Sequence, residues 1–325
     1  MRKKIIFIVG PTATGKTDIA VDLVKRIKAE IISCDSMQIY KGLDIITSQP
    51  SLGLRKKIPH HLISVISPGK EYNVSQYRKA ALKKIKKVLD KGKIPLLVGG
   101  TGLYMTILLD GIFDIKAENK NIRRKLHKEA SKLGSQHLHS RLKVIDPAAA
   151  LKIHPNDAKR IIRALEVYEV SGKPISELQK HRVGLWDKYD IKIFCLNMPR
   201  AELNNRIEKR VDKMLKNGLI GEVKKLLKKK LSRTASYAIG LKEIKGHLNG
   251  EYDLETTKQL ITRNTSLYAK RQLTWFRKDK RIQWVNINSK ENHQQVAERL
   301  FKKMEKMGSE MGSELFFPEN RQEKK

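Results

Sequence analysis

The run Ile5-Ile6-Phe7-Ile8-Val9 and the eight residues after it, Gly10-Pro11-Thr12-Ala13-Thr14-Gly15-Lys16-Thr17, decide the fold. Five apolar, largely β-branched residues predict a short buried strand. The following octet matches G-x-x-x-x-G-K-[ST], after which Ile19, Ala20, Leu23, Val24 and Ile27 recur at helical spacing. Strand, glycine-rich loop and helix in that order build an anion cradle. Backbone N–H groups and a helix N-terminus surround a phosphate, Lys16 bridges its outer oxygens, and the Thr17 hydroxyl reaches Mg²⁺. Such a loop takes a di- or triphosphate group and leaves open what is done with it.

Working outward, residues 30–34 read as a second strand. Residues 94–98 read as a third, after a helix marked by Tyr77, Ala81, Ile85, Val88 and Leu89. Residues 191–196 make a fourth strand and 282–287 a last one. Short apolar strands alternating with helices predict an α/β fold, a parallel sheet covered by helices on both faces. Between 115 and 185 only helical patterns occur, broken at Gly134, Asp146-Pro147, 154–157 and Gly172-Lys173-Pro174. The expected organisation is a core made of 1–114 and 186–301, an inserted all-helical domain at 115–185, and a disordered tail at 302–325 that carries Met-Gly-Ser-Glu twice.

A chain of 325 residues buries a full core without a metal or disulfide staple. Lys and Arg outnumber Asp and Glu by 68 to 34, a net charge of +34 that marks either a polyanionic partner or a lysine-rich composition imposed by a low-GC genome. No apolar run approaches the ~18 residues that span a bilayer, which predicts no membrane partner. The five-residue run behind Gly10 is too short for a signal sequence, so a cytoplasmic protein is expected. Cys34 and Cys195 stand alone, and His60-His61 and His137/His139 lack a Cys or acidic partner at ligand spacing. Neither a zinc site nor a disulfide framework is indicated.

The third strand ends in Gly99-Gly100-Thr101-Gly102 rather than in a metal-holding Asp, which disfavours a motor or switch ATPase. The nearest carboxylate is Asp35 at the end of strand two, followed by Ser36, Met37 and Gln38. A carboxylate there serves as a general base, as an indirect metal holder or as a helix cap. Thr101 sits in a glycine-rich turn, either approaching a ligand or capping a helix over 103–109.

At this point the sequence resembles the tRNA dimethylallyltransferase (isopentenyl-diphosphate:tRNA transferase) family, bacterial type. The motifs are GPTATGKT at 10–17, DSMQIYKGLDI at 35–45, IPHHLI at 58–63, PLLVGGTGLY at 95–104, HPNDAKRIIRALEV at 154–167, SGKP at 171–174 and YAKRQLTWFRKD at 268–279. Ile46, Ser64 and Leu241 depart from it, where the family usually has Gly, Asp and an aromatic residue. The resemblance implies a P-loop kinase-like core. It also implies transfer of a dimethylallyl group from dimethylallyl diphosphate to N6 of the adenosine just 3′ of the anticodon, position 37, in the tRNA anticodon stem-loop. Asp35 would be the general base, and Thr101 would contact the oxygen bridging diphosphate and dimethylallyl group. Lys16, the amides of 10–17 and Mg²⁺ on Thr17 would neutralise the leaving diphosphate. Arg206 and Arg210, four apart on one helix, either close over the same phosphates or form a solvated basic face.

The tRNA contacts implied by the resemblance are Asp35, Ser36, Met37, Gln38, Thr101, Arg123, Lys159, Arg160, Ile161, Ile162, Arg163, Lys270, Arg271, Gln272 and Arg277. Trp275 and Phe276 either stack on bases or belong to the core. A monomer is expected. The rival reading, a P-loop small-molecule or nucleoside kinase, shares the loop and the Asp after strand two but has no use for a basic insertion.

Overall fold

The computed structural model describes residues 2–113, 119–288 and 290–306. The chain runs β1 (Lys4–Val9), α1 (Lys16–Val24), β2 (Ala29–Ser33), α2 (Leu52–Lys57), β3 (His60–His61), α3 (Val74–Asp90), β4 (Ile94–Gly99) and α4 (Gly102–Asp110). Next come α5 (Lys120–Ile145), α6 (Pro147–Ala150), α7 (Ala158–Ser171) and α8 (Ile175–Lys180). It returns through β5 (Asp190–Asn197), α9 (Arg200–Lys216), α10 (Leu219–Leu227), a 3-10 turn at Ala235–Tyr237, α11 (Leu241–Leu248), α12 (Leu254–Phe276), β6 (Gln283–Asn286) and α13 (His293–Lys306).

The strands form one parallel sheet in the order β3-β2-β4-β1-β5-β6. β1 is central, with Ile6 beside Leu96 of β4 and beside Lys192 of β5. Every residue of β1 from Ile5 to Val9 is buried, as a strand covered on both faces requires. A parallel sheet gathers its ligand site beyond the carboxyl ends of its strands. Here those ends lead into the loop after β1, into Asp35 after β2 and into Gly100-Thr101 after β4. α3 is closed at its start by a reciprocal Asn73–Gln76 capping box and buries Tyr77, Ala81, Ile85 and Val88.

The chain divides into two compact units, Met1–Leu108 with Lys188–Lys325, and Leu109–Asp187. The second unit is helical. Its core is built from Leu126, Leu138, Leu142, Ile161, Leu165 and Val167, and α5 kinks at Gly134, whose φ is 83°. Asp146 ties it together: one carboxylate oxygen accepts from Ala149 N at the start of α6 and the other from Ser176 N. The unit's two ends meet where Trp186 N donates to Leu109 O at 3.1 Å, so its edges lie outside the sequence-read limits of 115 and 185.

The expected tail starts too early. α13 continues to Lys306 because Val296, Ala297, Leu300, Phe301 and Met304 form a buried stripe at helical spacing. The rest of the tail, 307–325 with its repeat, lies outside the described residues. Among the described residues no helix is long and apolar enough to cross a membrane.

Candidate active site at the carboxyl ends of the strands

The loop after β1 leaves the sheet at Gly10, whose φ of 139° and whose closeness to Leu196 exclude a side chain; a Cβ there would stand 2.6 Å from Leu196 O. The chain then turns over itself. Thr14 Oγ1 donates to Pro11 O at 2.9 Å and Lys16 Nζ to the same carbonyl at 2.6 Å. Gly15, at φ 79°, starts α1, whose first intrahelical bond runs from Ile19 N to Gly15 O. The amides of the first turn therefore remain available to an anion.

A buried side chain from far along the sequence fixes this loop. Gln272 of α12 accepts from Thr12 N at 2.9 Å and donates through Nε2 to Gly100 O at 2.9 Å. The two ends of its amide join the loop after β1 to the turn after β4. Gln272 was expected among the tRNA contacts. In the structure it braces two backbone segments and lines the cavity wall.

Asp35 accepts from Met37 N (2.8 Å) and Gln38 N (3.3 Å), both through Oδ1. One oxygen thus does the work of a cap. The carboxylate lines the cavity opposite the loop, near Lys16 and Arg210. Burial, then the nearby Arg210 guanidinium, pull the Lys16 ammonium down to about 8, with Asp35 opposing. Burial likewise lowers Arg210, opposed by Asp35 and Asp18. Thr101 does not cap α4 with its hydroxyl; Oγ1 accepts from Ser36 N at 3.0 Å and so pins the residue after the acid.

One cavity of about 1410 Å³ joins these groups. Its walls include Thr12, Ala13, Gly15, Lys16, Thr17, Asp35, Gln38, Arg206, Arg210 and Gln272 from the residues singled out by sequence. Arg206 is ion-paired one turn back to Glu202 at 3.1 Å. Arg210 has no carboxylate within 4 Å among the described residues, and of the two arginines it is the one held ready for an anion.

Sequence reasoning missed three residues at this site. Tyr268 lines the cavity beside Asp35, and burial, then the Asp35 charge, push its phenol up. It opens the quoted YAKRQLTWFRKD motif, the only signal that could have found it. Glu222 of α10 accepts from Ile45 N (2.8 Å) and Ile46 N (2.9 Å), fixing a loop of the cavity wall. His293, at the start of α13, also reaches the wall and belongs to none of the quoted motifs.

With this geometry in place, the comparisons with known proteins agree. A family model described as IPP transferase matches residues 38–279, and one described as isopentenyl transferase matches 3–53. The tRNA dimethylallyltransferase of Halothermothrix orenii is 46% identical over 88% of this chain and 88% of its own. That of Carboxydothermus hydrogenoformans is 45% identical over 92% and 97%. The chain belongs to the IPP transferase family. Among solved structures, a tRNA isopentenylpyrophosphate transferase from Bacillus halodurans is 36% identical with a TM-score of 0.67, covering 95% of this chain and 99% of that one. A eukaryotic dimethylallyltransferase acting on tRNA is 28% identical with a TM-score of 0.82, over 96% and 81%. Family membership sets aside the kinase reading.

The departures from the family pattern have local causes. Ser64 stands beside Asp44, where its hydroxyl reaches Asp44 Oδ1 (3.2 Å) and Gln49 Oε1 (2.7 Å); a second carboxylate there would repel the first. Ile46 and Leu241 are both buried, and Ile46 Cδ1 lies 3.5 Å from where a Cβ on Gly240 would stand.

The tRNA-contact residues expected in the helical unit separate by burial. The side chains of Ile161 and Ile162 are buried in its core and corrected to packing residues, because a helix with one apolar face turns them inward. Arg163 and Arg123 both bind Oε2 of the fully buried Glu166 at 2.9 Å. Lys159 and Arg160 are exposed, and Arg160 pairs with Asp157 at 3.1 Å. On α12 and just beyond it, Lys270, Arg271 and Arg277 are exposed. Phe276 is core, and Trp275 is 40% exposed with its Nε1 donating to Thr106 Oγ1 at 3.3 Å. Of the histidine pairs, His61 binds Glu30, His137 Glu129, and His139 the carbonyls of Ala150 and Ile153, while His60 bonds Ile58 O through Nδ1 and leaves its buried Nε2 without a partner among the described residues.

Proposed function

We propose that this enzyme transfers the dimethylallyl group of dimethylallyl diphosphate to N6 of adenosine 37 in tRNA. The observation that carries the reading is the meeting of Lys16, Arg210 and Asp35 on one cavity, cations at the anion loop and a carboxylate facing them. The bond from C1 of the dimethylallyl group to the bridging oxygen breaks and the bond from N6 to C1 forms. The diphosphate departs with the bond's electron pair, and an N6 proton passes to Asp35. An exocyclic adenine amine is a weak nucleophile, so a base that takes its proton as the bond forms lowers the barrier. Lys16, Arg210 and the first-turn amides of α1 neutralise the charge that grows on the diphosphate. Thr101 holds Ser36 and through it the backbone around the acid.

Mg²⁺ fits these residues. It keeps waters and phosphate oxygens for most of its positions, so one protein hydroxyl suffices. Thr17 supplies that hydroxyl on the cavity wall. When bound, the ion would neutralise charge on the diphosphate. The exposed Lys159, Arg160, Lys270, Arg271 and Arg277 hold RNA phosphates, and the target adenosine leaves its stack to reach the cavity.

The test is incubation with dimethylallyl diphosphate, Mg²⁺ and unmodified tRNA. N6-dimethylallyladenosine at position 37 is expected, with no consumption of ATP. Absence of alkylated adenosine, or ADP formed in step with modification, would overturn the proposal.

A further inference from the structure

The cavity wall contains a side chain that the reaction as described does not use. His293 is the first residue of α13, and its ring lies directly over the anion loop. A Cβ built on Gly15 would stand 2.9 Å from His293 Nε2 and 3.1 Å from Cδ2. The same ring presents Nδ1 to the Asp18 carboxylate at 3.8 Å. Nε2 has no hydrogen-bond partner among the described residues, although the ring is only half-buried at 45% exposure.

The ring is delivered rigidly. Asn292 and Gln295 close the start of α13 with a reciprocal capping box, both bonds at 2.9 Å. Arg26, just past α1, is ion-paired to Glu298 of α13 at 2.5 Å. The buried stripe of α13 completes the attachment. An anion held by the amides at the start of α1 occupies the same cavity whose wall His293 lines beside Gly15, Lys16 and Thr17.

We infer that His293 is a further diphosphate-binding residue, its Nε2–H donating to the diphosphate of the prenyl donor and to the diphosphate released. This rests on the proposed function for the identity of the donor. Gly15 then has two reasons to be glycine: its positive φ, and the room that its missing side chain gives the imidazole. His293 lies beyond the segment 38–279 that the IPP transferase model matches.

The experiment compares wild type, His293→Ala and His293→Gln in two measurements: steady-state kinetics with both substrates, and direct binding of inorganic pyrophosphate with Mg²⁺. Loss of one hydrogen bond to a charged group at a half-exposed position predicts a rise of about 5- to 30-fold in KM for dimethylallyl diphosphate. The pyrophosphate Kd should rise by the same factor. KM for tRNA and the Tm should stay at wild-type values, and His293→Gln, which keeps an N–H donor, should recover part of the loss. Diphosphate constants within twofold of wild type in His293→Ala overturn the inference, as does a rise in the tRNA KM equal to that for the diphosphate. A wild-type protein that binds pyrophosphate but alkylates no tRNA would instead remove the proposed function, and the pyrophosphate measurement would still decide the role of His293.

Discussion

Two carboxylates mark the two ends of β2 and lead opposite lives. Glu30, 1% exposed near the strand's start, has its oxygens filled by Lys91 (2.9 Å), Lys93 (3.0 Å) and His61 (2.8 Å). Burial alone would raise its pKa; the hydrogen bonds from Lys91, His61 and Lys93 overcome that and bring it to about 2. Asp35, just beyond the strand's end, has only backbone N–H donors on one oxygen and faces a cavity with Lys16 and Arg210 across it. An acid saturated by cations holds a fold together. One left with an open oxygen opposite unpaired cations is placed for chemistry.

The arginines repeat the lesson. Arg123 and Arg163 share the buried Glu166, whereas Arg210 faces the cavity without a carboxylate within 4 Å among the described residues.

The sharpest way to break this contrast is to neutralise each acid in turn. Asp35→Asn should lower the single-turnover rate by roughly 10²–10⁴-fold, the usual worth of a positioned acid–base group, with Tm near wild type. An unchanged rate at saturating substrates would remove the general-base role. Glu30→Gln should do the reverse, leaving the rate near wild type and costing about 2–3 kcal/mol of stability in denaturant titration. That lies at or below the low end for buried pairs because the lysines can return to water. Since folding lowers the Glu30 pKa from about 4.5 to about 2, its contribution is complete above pH 4.5 and fades as the pH falls toward 2. The stability gap between wild type and Glu30→Gln should close over that window.

The cations facing Asp35 make a smaller claim. With Lys16 at about 8 in the free enzyme, kcat/KM for dimethylallyl diphosphate should fall about tenfold per pH unit above pH 8. Lys16→Arg, whose charge persists, should lose that alkaline limb whatever its absolute rate. The smallest effects belong to the helical unit. Arg160→Ala should reduce the salt dependence of tRNA binding by about 0.7–0.9 in log–log slope for one lost phosphate contact, without changing Tm. Arg163→Ala, which strips a partner from Glu166, should lower Tm. Equal slopes for wild type and Arg160→Ala would take that residue out of the RNA surface.

The sheet was legible wherever a strand was long enough to show a pattern. Residues 5–9, 30–34, 94–98 and 191–196 all lie in or within a residue of observed strands, and the loop after the first announced its own chemistry. β3 escaped because two residues carry no periodicity, so His60-His61 attracted attention as side chains rather than as backbone. α2 and α11, six and eight residues long, were too short for a helical stripe to stand out. Within the site, Lys16, Thr17 and Asp35 follow from local pattern. Tyr268, Gln272, Glu222 and His293 reach it from other elements, and no spacing within their own segments reveals what a helix will face after folding. Ile161 and Ile162 are the converse case: a motif names every residue in a run, but a helix turns only some of them outward.

The Gln272 amide has a consequence for the order in which the enzyme comes to life. The anion loop leaves the ribosome well before its brace to Gly100, because Gln272 follows Thr12 by 260 residues. At about 5–20 residues per second, that interval is roughly 13–52 s. A nascent chain thus carries its phosphate cradle unfastened throughout that interval, and a message truncated before α12 yields a loop that is present in sequence but never locked to the turn it must face.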